Sequence, residues 1–97
     1  VKGRRVTEIR EALGLNRGQF AELMGVHSAS VYRWESARGE LIVDPFHGRL
    51  LALMDSTKAG ALPRLGRRVI PALMTRGPLY ALHRLLAGLF KPSTLRG

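Results

Sequence analysis

The strongest constraint on this chain is one glycine, Gly25, set between two short apolar rhythms. Ahead of it Phe20, Leu23 and Met24 recur at helical spacing, and after it Val26, Val31 and Trp34 begin a second run. Glycine reaches positive φ at little steric cost, so Gly25 can end one helix and set the angle to the next. Residues Asn16 to Glu35 are therefore predicted to form two short helices joined by a tight turn. At about 100° per residue, Val31 and Trp34 fall on one side of the second helix, and Ser28, Ala29, Tyr32 and Arg33 fall on the other. The first side packs, with Trp34 as a core residue, and the second is left to touch a partner.

The flanking segments read as support for this pair. Residues 1–6 are expected to be a basic arm. Thr7 then caps a first helix with Glu8 and Glu11 early in it, Ile9, Ala12 and Leu13 on one face, and Gly14 at its end. Asn16 and Gln19 make an N-x-x-Q variant of the capping box, which sets the start of the next helix. A link over 36–43 contains the apolar run Leu41, Ile42, Val43. Asp44 followed by Pro45 marks a further helix start, after which Leu50, Leu51, Leu53 and Met54 close the core. This divides the chain into an arm (1–6), a helical domain (7–55), a linker with Gly60 and Pro63 (56–64) and a tail (65–97). Within the tail, Pro71 is expected to kink or interrupt a short helix over 65–74. Gly77 and Pro78 restart a helix with Leu79, Leu82, Leu85, Leu86, Leu89 and Phe90 on one broad face.

Charge narrows the partners. All seven acids lie in residues 1–55, and residues 56–97 hold eight bases and no acid, so +8 of the net +9 sits in the second part. Such asymmetry points to a polyanion or an acidic partner. The chain contains no cysteine, and His27, His47 and His83 have no metal-ligand spacing. No paired carboxylates, activated nucleophile or glycine-rich phosphate loop is evident, so an enzyme is not expected, and neither a cofactor nor a metal. The C-terminal leucine-rich run is interrupted by His83 and Arg84 and is too short and basic to span a bilayer, which favours a soluble protein in a reducing compartment.

The outward set on the second helix of the pair suits a major groove. Arg33 can donate two hydrogen bonds to guanine, Ser28 can bond a base or a phosphate, Ala29 offers a methyl to thymine, and Tyr32 can stack or reach a phosphate. Arg17 stands at a positive helix end, where backbone N–H groups and the dipole favour an anion. The plain alternative is a solvated arginine. His27 has two readings of equal standing, a phosphate donor or a simple cap.

The chain resembles the XRE or lambda-repressor-like (Cro/C1) helix-turn-helix proteins. The matching elements are L-G-L-N at 13–16, F-A-E-L-M-G-V at 20–26, S-V-Y-R-W-E at 30–35, and then Pro45, Gly48 and a leucine-rich helix. The resemblance covers roughly residues 7–54. It implies an all-α bundle of four to five helices that binds double-stranded DNA as a homodimer at an inverted repeat, with residues 28–37 as the recognition helix in the major groove. By the same resemblance Ser28, Ala29, Tyr32 and Arg33 face bases, and Asn16, Arg17 and His27 lie against phosphates; Arg38 is a further phosphate-contact candidate. The family usually has glutamine where Arg17 stands, a hydroxyl residue where His27 stands, and long polar residues at Ser28 and Ala29. A bacterial or phage repressor, cytoplasmic and nucleoid-associated, is the expected setting.

The basic amphipathic tail lies beyond the resemblance. Its apolar face, including Leu79, Leu82, Leu86, Leu89 and Phe90, can pack on its own domain or a twin, dock a protein partner through residues 77–97, or lie on a membrane, the least favoured of the three. A second function class follows: an adaptor or antitoxin-like module whose tail captures a protein, with DNA contact secondary.

Overall fold

The computed structural model describes residues 1–41, 43–58 and 60–90, which form six helices: α1 (Gly3–Leu13), α2 (Arg17–Met24), α3 (Ser28–Ser36), α4 (Pro45–Asp55), α5 (Ala61–Arg76) and α6 (Pro78–Leu89). No strand occurs among the described residues. Ile42 and residues 91–97 of the expected link and tail lie outside them.

The helix ends follow local chemistry. Asn16 and Gln19 exchange both capping-box bonds: Gln19 N donates to Asn16 Oδ1 at 2.8 Å, and Asn16 N donates to Gln19 Oε1 at 2.9 Å. Gly25 takes φ +72° and closes α2, with the next amide, Val26 N, donating to the Ala21 carbonyl at 2.9 Å. Asp44 caps α4 by accepting from His47 N at 3.1 Å, with Pro45 in the first turn.

Packing corrects the expected segmentation in three places. The first helix starts at Gly3 rather than after Thr7, and Lys2 stands at its N-cap. Residues 1–6 are thus not a free arm: Val6 is fully buried, and Arg5 Nε pairs with Asp55 Oδ1 at 2.5 Å. Gly3 also lies so close to the carbonyls of Trp34 and Ala37 that a Cβ there would collide with backbone. The expected linker is partly helical, since α5 begins at Ala61. Pro71 does not interrupt α5, which runs 16 residues through it. Pro71 lies on the exposed side of α5, while Val69, Ala72 and Leu73 are buried around it.

Helices α5 and α6 pack on each other, α5 lies on α1, and α6 lies on α2. One hydrophobic core therefore runs from Val6 to Leu85, through Phe20, Leu23, Val31, Trp34, Leu51 and Val69. Gly66 makes the α1–α5 seam: a Cβ at that position would overlap the backbone of Leu13. On α6, Ala81 and Leu85 are fully buried, and Leu82, Leu86 and Leu89 are partly covered against the core. Of the face assigned to a partner, Leu79 and Phe90 are the two residues that stay exposed. The tail helix is mostly engaged by its own domain, because its apolar stripe is covered by α2 and α5. No helix among the described residues is long and apolar enough to cross a membrane.

Candidate nucleic-acid interface

Helix α3 is held from one side only. Val31 and Trp34 are buried against α1 and α2, and Ser28, Ala29, Tyr32 and Arg33 are all exposed. Arg33 is held lightly, one terminal nitrogen donating to Ser30 Oγ at 3.1 Å. His27 is the N-cap of α3, is exposed, and makes no side-chain capping bond, so its ring is open to a partner. Arg38 is exposed in the segment after α3.

Charge anchors this helix to its neighbours. The Glu35 carboxylate accepts from Arg10 Nε on α1 at 2.6 Å and from Arg17 Nε on α2 at 2.8 Å. Arg10 also donates to the Leu15 carbonyl at 3.0 Å. Burial pushes the Glu35 carboxyl up, but the hydrogen bonds and charges of Arg10 and Arg17 outweigh burial and hold it below the ordinary glutamate range. The Arg17 guanidinium lies 5.4 Å from the centre of the Tyr32 ring, a cation–π contact. With Nε committed to Glu35, its terminal nitrogens have no hydrogen-bond partner among the described residues. Arg17 therefore joins the first turn of α2 to the exposed face of α3 and still presents donors outward.

A second tie holds the turn. His47 on α4 places Nδ1 2.6 Å from Asp44 Oδ1 and Nε2 2.7 Å from the Met24 carbonyl, the last residue of α2. Its ring contacts those of Trp34 and Phe46, with centroids 5.7 and 5.2 Å away. Both ring nitrogens face acceptors, and a neutral imidazole donates to only one of them. The hydrogen bond to His47 holds the Asp44 carboxyl below the ordinary aspartate range.

The arrangement brings Asn16, Arg17, His27, Ser28, Ala29, Tyr32 and Arg33 to the two helices of the turn. Sequence reading missed Glu35 as the anchor and His47 as the clamp on Met24. Periodicity marks only which face is apolar; it carries no sign of which carboxylate meets which guanidinium across 18 or 25 residues. Among the described residues no cluster of His, Asp and Glu is placed to hold a metal ion.

Comparison with known families agrees with this geometry. Residues 6–41, from α1 through α3, match the family model described as Helix-turn-helix. By this match the segment is similar to helix-turn-helix domains of the XRE or lambda-repressor-like kind. No match to the chain was found among curated proteins or among solved structures.

Proposed function

We propose that the protein is a sequence-specific DNA-binding repressor that occupies an inverted-repeat operator as a homodimer, with α3 in the major groove. The observation that carries this reading is the division of α3 into an anchored side, Val31 and Trp34, and an exposed side of Ser28, Ala29, Tyr32 and Arg33. Arg33 and Ser28 are the hydrogen-bonding readers, Ala29 the methyl contact, and Tyr32 a stacking or phosphate contact. Asn16, Arg17, His27 and Arg38 supply phosphate contacts, so binding falls steeply with salt. The test is selection of bound duplexes from a random pool at two salt concentrations. An enriched inverted repeat supports the proposal, and a pool with no enriched motif overturns it.

A second reading, capture of a protein partner by α6, is favoured by the 83% exposure of Leu79; Met74 on α5 is exposed as well. Leu79→Ser tests it without touching the buried residues Ala81 and Leu85. Loss of an oligomer or of a co-purifying partner supports this face, and unchanged assembly rejects it.

A further inference from the structure

We propose that the groove between the end of α4, the start of α5 and the end of α6 binds a small amphiphilic anion, an apolar chain or ring ending in a carboxylate or phosphate. The groove encloses about 520 Å³, within the roughly 300–1,000 Å³ of small-molecule sites. Leu53, Leu65 and Leu89 make its apolar lining, and Lys58, Arg64 and Arg68 supply cations from the loop after α4 and from the exposed side of α5. Among the described residues no carboxylate lines it. None of the three cations takes part in an ion pair among the described residues.

The contrast with the larger groove, of about 800 Å³ beside α1, decides between the two. There four carboxylates stand among the cations: Arg5 pairs with Glu8 and Asp55, and the Val1 amino group with Glu40, so much of the charge is already balanced by the protein itself. The α4–α5–α6 groove is lined by three cations and, among the described residues, by no carboxylate, an arrangement that an incoming anion relieves. A DNA phosphate would satisfy the cations but has no use for three leucines, and a neutral apolar molecule would leave the cations unmatched. The leucines and the cations together select a ligand with both parts. The reading helix α3 does not line this groove, so the site is distinct from the proposed DNA face.

The test is a titration of the full ¹⁵N-labelled chain, followed by amide shifts, with sodium decanoate, 1-decanol, inorganic phosphate and a short duplex of random sequence. Decanoate is expected to saturate, to shift the amides of Leu53, Ala61, Leu65 and Leu89, and to bind at least about tenfold tighter than decanol or phosphate, the worth of one charge-assisted hydrogen bond. Replacing both Arg64→Gln and Arg68→Gln, at exposed positions, should weaken decanoate by about tenfold or more with the thermal midpoint unchanged. Ala61→Phe, which fills the groove, should weaken it without removing a charge. Decanoate shifts centred on Met74 and Leu79, equal binding of decanol, or full affinity in the double variant would each overturn the proposal. So would a random duplex that displaces decanoate from these amides, which would assign the cations to DNA.

Discussion

Glu35 on α3 and Arg10 on α1 lie 2.6 Å apart, and the Glu35 side chain is only 3% exposed. Removing the carboxylate leaves the nearly buried Arg10 guanidinium with only the Leu15 carbonyl and, at 4.0 Å, the exposed Glu11 carboxylate. Glu35→Ala should therefore destabilise the fold by about 3–5 kcal/mol in urea unfolding. Arg17→Ala, whose side chain is half exposed, should cost under about 1 kcal/mol. A destabilisation by Glu35→Ala no larger than that by Arg17→Ala would show that Arg10 is adequately hydrated without its partner.

The same pair sets a response to acid. The Glu35 carboxyl is held below its ordinary range in the folded state, so the protein gains stability from it above the unfolded pKa, about 4.3, and loses that gain as pH falls below this value through the folded one. Wild-type urea midpoints should hold level from neutrality to the upper edge of that window and drop below it. Glu35→Gln should show a shallower drop, and parallel curves for the two proteins would assign the acid loss to other carboxylates.

On DNA the two arginines of the interface should separate cleanly. Arg33→Ala is expected to weaken binding to a selected operator by about 1–3 kcal/mol and to relax preference at one base position. Arg17→Ala should weaken all duplexes alike and lower the salt slope by about one. Equal loss on operator and scrambled DNA would remove Arg33 from base reading, and an unchanged slope would remove Arg17 from the phosphate set.

His47→Ala tests the clamp on the turn. It leaves the Met24 carbonyl without its partner at the end of α2, and the expected cost is about 1–3 kcal/mol. Amide exchange at Gly25 and Val26 should quicken relative to that at Val6 and Ile9. Uniform quickening at all four would mean that the ring acts on global stability and not on the turn.

Helix α6 should behave as core. Leu85→Ala is expected to cost about 2–5 kcal/mol, whereas Leu79→Ser should stay within about 0.5 kcal/mol. If Leu85→Ala leaves the urea midpoint unchanged, α6 does not contribute to the cooperative fold.

Much of the local chemistry was legible in the chain, although the start of α1 at Gly3 and the run of α5 through Pro71 were not. The capping box of Asn16 and Gln19, the positive φ of Gly25, the Asp44–Pro45 start and the inward pairing of Val31 with Trp34 are all written within four or fewer residues, where covalent geometry and helical period act directly. The outward face of α3 was legible for the same reason. Contacts between distant segments were not. That α5 and α6 complete the core, that Gly66 admits the backbone of Leu13, and that Glu35 draws together Arg10 and Arg17 depend on where separate helices meet. An apolar stripe states that it must be covered, and the shape of the neighbouring helices decides what covers it.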